Sequence, residues 1–292
     1  MGQTSRIAWA ALIAVNITAV LFGSTGLFGK LDVSPAWIVV GRALFAAAAL
    51  LVILLLRRSS LVPEPRERRA LAASGAALAV HWLTFFWSVQ QAGIAVATLT
   101  FATFPAGIVA IEAVRRRRWP LGVELGAALT IVFSVMLLVQ GGLPPLAHAA
   151  MGALLGLVSA ATFALFSIIS QALGSQANLA RLSFCQNAVV VLVTAPMLVF
   201  AARMPHGPDW FWLALLGVAA TALAHQLYFY GLKKLPASVC GGFASLEPVY
   251  AIFFANLLFH EQIRPAVFIS GVMIIAASLV LLFWTKNPVA AI

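Results

Sequence analysis

YFYGLKKLPASVCGGFASLEP, residues 228–248, decides how this chain folds once it is laid over FFWSVQQAGIAVATLTFATFP, residues 85–105. The offset of 143 positions sets Pro248 on Pro105. Aromatic residues meet at Phe85/Tyr228, Phe86/Phe229 and Trp87/Tyr230, and the turn residues Gln90–Gln91 meet Lys233–Lys234. Further upstream the offset slips to 144, where Arg42 meets Gln186. Self-similarity over so long a period means two related halves, read here as residues 1–145 and 146–292.

Both halves are written for hydrocarbon. Of 292 residues, 63% are apolar and 9% charged, against roughly 25% charged in a soluble domain. Such a chain cannot build a solvated surface. A bilayer core takes about 20 predominantly apolar residues per helix. That rule predicts spans at 7–29, 36–57, 70–91, 94–114, 121–140, 150–172, 179–202, 210–231, 237–259 and 265–285. The expectation is an all-α polytopic membrane protein with ten transmembrane helices. Arg6 before an apolar core resembles a signal peptide, but that core is too long and no small-x-small site follows, so the segment reads as a retained helix.

The net charge of +10 invites a nucleic-acid reading, which its distribution removes. With the N-terminus inside, Arg6, Arg57, Arg58, Arg66, Arg68, Arg69, Arg115, Arg116, Arg117, Arg118, Arg181, Lys233, Lys234 and Lys286 fall on inner loops and ends. Only Lys30, Arg203 and Arg264 fall outside. This is the positive-inside asymmetry. The block Arg115–Arg118 therefore anchors topology beside anionic headgroups. Both termini are expected in the cytoplasm.

Five spans per half is an odd number, so two halves of one fold must lie in the membrane with opposite orientation. Inverted repeats enclosing a midplane site, and rocking to open it on alternate sides, are a transporter architecture. A ten-helix scaffold or receptor has no need of it.

Two further stretches carry a resemblance. LFGSTGLFGK (21–30) is similar to the LWGS-type pattern that ends a first helix, and SLEPVYA…LLFHE (245–261) is similar to an EPV…GE pattern in a ninth. With the five-plus-five repeat, the chain resembles the EamA-type branch of the drug/metabolite transporter superfamily over nearly its whole length. In character it is similar to the YddG-like amino acid exporters within that branch. The resemblance implies a bacterial inner-membrane exporter of small organic molecules, amino acids first among them, with multidrug or other metabolite export as the alternative. It also implies a central cavity lined by spans one, three, four, six, eight and nine. The chain departs from the pattern where Arg117 and Arg118 stand in place of a first-half glycine–glutamate pair, and where Phe104 stands opposite Glu247.

Ionisable groups inside spans are functional candidates, because each is costly in hydrocarbon. Glu247 lies mid-span. It suits proton coupling, a contact to a substrate ammonium, or a hydrogen bond into backbone opened by Pro248 at Ala244. His81, followed on its face by Thr84, Phe85 and Ser88, has a near-counterpart in span eight, where Thr221, His225, Tyr228 and Phe229 recur. These are either packed core residues or pathway contacts. Asn16, Phe163 and Tyr250 complete the expected substrate pathway. Arg42, roughly 10 Å from the outer end of span two at 1.5 Å per residue, reads two ways: a snorkelling cation paired with Asp32 or a headgroup, or an outer gate contacting a substrate carboxylate.

Pro105 and Pro248 read as paired kinks at mid-depth, one per half, with Gly241 and Gly242 loosening the second. Cys185 and Cys240 read as small apolar packers. No triad, HExxH, P-loop or CxxC occurs, so neither an enzyme nor a metal or other cofactor is expected, and ATP hydrolysis is excluded. The expected partners are a small-molecule substrate, the bilayer and protons as coupling ion, with the protein a monomer or weak oligomer and no nucleic acid involved.

Overall fold

Apolar side chains face outward along most of the helices, among them Leu56, Val114, Leu192, Val199 and Phe200, so the surface is solvated by hydrocarbon and the backbone must satisfy itself. In the computed structural model it does so with helices. The structure describes residues 3–115, 117, 119, 122–140, 145–174, 178–235, 243 and 246–284. The expected hinge glycines Gly241 and Gly242, the anchors Arg116 and Arg118, and Cys240 lie outside these.

The described helices are α1 (Gln3–Thr25), α2 (Pro35–Leu56), α3 (Arg68–Phe101), α4 (Phe104–Arg115), α5 (Gly122–Gln140), α6 (Leu146–Gly174), α7 (Leu179–Thr194), α8 (Asp209–Gly217), α9 (Ala224–Lys234), α10 (Glu247–Phe259) and α11 (Pro265–Trp284). Short 3₁₀ turns extend α1 through Gly26–Lys30 and α7 through Ala195–Phe200. A π-helical turn, Val218–Leu223, joins α8 to α9. Local chemistry starts several helices: a proline opens α2 behind Ser34, and the Asn178 side chain caps α7 by accepting from the Ala180 and Arg181 amides.

Seven described segments are long and apolar enough to cross a bilayer. The expected spans map onto the described helices, with a turn between spans three and four and breaks inside spans four and nine. Spans three and four share α3, but Gly93 (φ 86°) takes a conformation closed to most side chains and turns the chain back on itself. The rings of His81 and Phe101 stand 4.9 Å apart, whereas a straight helix would separate those residues by roughly 30 Å. Span four then breaks at Ala102–Thr103 and restarts as α4, and in span nine α10 begins only at Glu247. At 12 and 13 residues, α4 and α10 reach roughly 18–20 Å, short of the ~30 Å hydrocarbon core.

The two breaks have one backbone geometry. Thr103 N donates to Thr100 O and Leu246 N to Phe243 O, and each residue's own carbonyl then accepts from positions three and four ahead, Ala106 and Gly107 or Val249 and Tyr250. Pro105 and Pro248 consequently sit in the first turn of new helices, where the missing N–H is no loss. They are helix starts and not the interior kinks expected of them. At the first break the Ser278 hydroxyl of α11 donates to Ala102 O at 3.0 Å. Ala244, the acceptor expected for Glu247, lies outside the described residues.

Small residues bring the helices close enough to position a central site. Gly152 of α6 presses against Ala92, just before the Gly93 turn of the α3 hairpin, and Gly156 against Thr100 on its returning limb, and Ser88 donates to Gly152 O at 2.6 Å. A Cβ on Gly217 would meet the Arg42 carbonyl at 2.6 Å, so only glycine lets α8 lie against α2. A Cβ on Gly23 would meet Tyr250 Cβ at 2.6 Å and Glu247 O at 2.9 Å. The stretches 21–30 and 245–261, separate in the sequence, thus pack on one another.

Candidate functional site

Where these close approaches converge, an internal cavity is walled by Phe22 and Thr25 of α1, Arg42 of α2, His81, Trp82, Phe85 and Phe101 of α3, Phe163 of α6, His225 of α9 and Glu247 of α10. Its volume is about 30 Å³, room for a water molecule or two. Ligand pockets run to roughly 300 Å³ and above. The conformation is closed around its centre.

Arg42 is buried there, at 2% exposure. Its Nε and Nη2 donate to Thr221 Oγ1 at 3.1 and 2.9 Å, and Cζ lies 3.9 Å from the Trp82 ring centroid and 5.5 Å from that of Phe86. Such cation–π stacking is strong where water is excluded. The expectation of an outer contact is corrected: Asp32 pairs with Arg203 at 2.7 Å, and Arg42 turns inward because its acceptor is in the turn between α8 and α9. Its Nη1 is buried with no hydrogen-bond partner among the described residues.

Thr221 can accept twice because the π turn engages its proton. The hydroxyl donates to Leu216 O, five residues back, at 2.8 Å, where a regular helix would offer the carbonyl four back.

Glu247 faces the same cavity from the first turn of α10. There the helix dipole presents positive potential to its carboxyl. No ion pair within 4 Å joins it to Arg42, although both are buried in the same wall. The centre therefore holds one guanidinium and one carboxyl, unjoined, between aromatic faces.

The histidines differ. His81 Nδ1 bonds Ser159 Oγ at 2.7 Å and lies near Ser159 O at 3.2 Å, with Phe101 and Phe163 rings 4.9 Å away. His225 stacks on Trp82 at 6.1 Å and meets Phe22 edge-on at 5.7 Å, and its buried Nδ1 has no partner among the described residues.

The structure thus gathers Glu247, His81, His225, Phe85, Phe163 and Arg42 from the sequence candidates. The other described pathway candidates, Tyr228, Thr84, Asn16 and Tyr250, stand outside the cavity wall. Tyr228 packs behind Phe22 at 6.1 Å, Thr84 donates to Val80 O and His81 O on its own helix, and Tyr250 donates to Asn16 Oδ1 at 3.4 Å, tying α10 to α1. Phe22, Thr25, Trp82 and Phe101 join the wall without having been candidates. Phe22 and Thr25 belong to the quoted LFGST stretch, and Trp82 with Phe86 forms the i, i+4 stack under Arg42.

Ion pairs tie the chain at both ends of the bundle. At the arginine-poor end Lys30 meets Glu261 and Arg203 meets Asp32, with Gln90 accepting from Arg203 at 3.2 Å. Beside them a second cavity of about 290 Å³ is bordered by Gln91, Gly93, Ile252, Glu261 and Ile263. At the opposite end Arg181 meets Glu67 at 3.5 Å.

Comparison with known proteins gives a consistent answer. The sequence profile of the EamA-like transporter family matches residues 9–140 and 150–283. A protein named "Uncharacterized transporter" from Archaeoglobus fulgidus is 23% identical over 203 residues, covering 70% of this chain and 72% of its own. Protein RarD of Streptomyces exfoliatus is 27% identical over 264 residues, covering 84% and 75%. One solved crystal structure superposes with TM-score 0.65 at 17% identity, covering 97% of this chain and 98% of the other, which shows a shared fold.

Proposed function

Since the chain belongs to the EamA-like transporter family and is a multi-pass membrane transporter, we propose that it exports small zwitterionic metabolites, amino acids foremost, from the bacterial cytoplasm by alternating access. One observation carries this reading: a buried guanidinium with a spare donor and a carboxyl share an aromatic-walled cavity without pairing to each other. An unpaired charge away from water is costly. A ligand carrying a carboxylate and an ammonium meets both groups and leaves the site neutral.

A lipophilic cation, the drug-exporter alternative, would satisfy Glu247 and the rings but leave Arg42 Nη1 desolvated. The zwitterion is therefore the better fit. Two inverted repeats, 1–145 and 146–292, in an inner membrane with both termini cytoplasmic, are the frame of the proposed cycle. Support for that frame comes from the matched backbone at the two breaks and the two-part family match. Ties at both ends and the small central cavity suit an occluded stage, from which the halves must separate to admit a ligand. Glu247 is the candidate coupling group for protons.

Purified protein in liposomes, given labelled amino acids and a labelled lipophilic cation with and without a proton gradient, tests the reading. Amino acid flux above protein-free vesicles is the expected result. Cation flux with no amino acid flux would overturn it.

A further inference from the structure

Two of the three nitrogens of the Arg42 guanidinium have a hydrogen-bond partner and one has none among the described residues. Nε and Nη2 share Thr221 Oγ1, and the face of the group lies on Trp82. Nη1 is the nitrogen with no partner among the described residues, inside a wall that also carries His81, His225 and Glu247. A guanidinium on a flexible stem would ordinarily turn to place as many donors as it can on a carboxylate such as Glu247. Here it is held, and the holding group is a hydroxyl from another helix.

That hydroxyl is itself held. Thr221 occupies the only π-helical turn among the described residues, and its proton is engaged by Leu216 O. Both lone pairs are thus left facing Arg42. Thr221 and His225, four residues on, share the inward face. Gly217, seated against the Arg42 carbonyl and the Phe45 side chain, keeps this turn pressed on α2.

We propose that Thr221 is a positioning residue: it fixes the Arg42 guanidinium so that Nη1 alone is presented to the carboxylate of the transported molecule. This rests on the zwitterion reading and adds how the acid end is recognised. Thr221 does not touch the ligand. It sets which donor does, and without it the guanidinium is free to swing toward Glu247 and close the charge pair that the site keeps open.

The test is binding of labelled L-leucine to the purified full-length protein, with competition by unlabelled L-leucine and L-leucinamide, which keeps the ammonium and lacks the carboxylate. A charge-assisted bond to Nη1 predicts that wild type prefers leucine by about 10-fold or more. Thr221→Val keeps the shape, loses the hydroxyl, and is expected to bring that preference to within about threefold of unity. Thr221→Ser restores the acceptor and is expected to keep the wild-type preference. A general loss of packing would weaken both competitors together and leave their ratio unchanged. A valine variant with the wild-type ratio, or a serine variant that loses it, overturns the assignment. Should the valine variant not elute as a monodisperse species, Thr221→Ala carries the same comparison. Wild-type protein that binds no leucine contradicts the zwitterion reading itself, and this inference falls with it.

Discussion

The two helix breaks, at Ala102–Thr103 and at Leu246, share a hydrogen-bond pattern and part company in the side chain just ahead of the proline. Both place a proline in the first turn of a short helix, and both close on themselves through the same three hydrogen bonds. Ahead of the first proline stands Phe104, 2% exposed and packed against Phe101 at 5.4 Å and Phe163 at 5.1 Å. Ahead of the second stands Glu247, in the same cavity wall as Arg42. The backbone device is duplicated, whereas the acid is supplied once. In the proposed cycle a two-fold frame would move symmetrically around a site whose chemistry has a direction, with guanidinium and carboxyl supplied by different helices.

The largest effects should separate the side chains. Glu247→Gln is expected to lower leucine flux in proteoliposomes by about 10-fold or more, as loss of a charge-assisted contact does. Phe104→Leu should lower it by no more than about threefold, since one buried apolar group replaces another. Equal losses would break the comparison.

Next come the features held in common. Pro105→Ala and Pro248→Ala each let the upstream helix run on through the break, because alanine is compatible with the helix interior and proline is not. Initial-rate curves should show similar falls in maximal rate for both, with little change in half-saturating concentration. A fall confined to one would show that the breaks are not equivalent in motion.

Ser278→Ala acts on the first break only, removing the donor to Ala102 O. Thermal unfolding in detergent should register a loss of about 1 kcal/mol. The smallest effect belongs to the ties at the ends. The Lys30–Glu261 pair is partly exposed, and Lys30→Ala should change flux by less than about threefold, by an amount that shrinks as salt is raised.

Much of this molecule is legible in its amino-acid sequence. Hydropathy places the helices, the offset of 143 places the breaks, and the cost of intramembrane charge marks Arg42, His81, His225 and Glu247. What stays hidden depends on distant partners. The direction in which Arg42 turns is decided by Thr221, 179 residues away, so its nearness to Asp32 in sequence points the wrong way. Pro248 reads as a kink because the apolar residues before it look the same whether they continue the helix or end it. Trp82, Phe22 and Phe101 face the cavity, yet nothing in an aromatic residue distinguishes a cavity wall from lipid. The π turn has no composition signal in VAATAL. It is visible only as the bond from Thr221 to Leu216.

The central claim is that one site requires both charges on its ligand. Counterflow tests it most directly: vesicles are preloaded with L-leucine, L-leucinamide or 4-methylpentanoate, and the uptake of external labelled leucine is followed. Leucine carries both charges, and the other two carry one each on the same carbon skeleton. The account predicts that internal leucine drives accumulation of label and that neither analogue does. Accumulation driven equally by either analogue would contradict it.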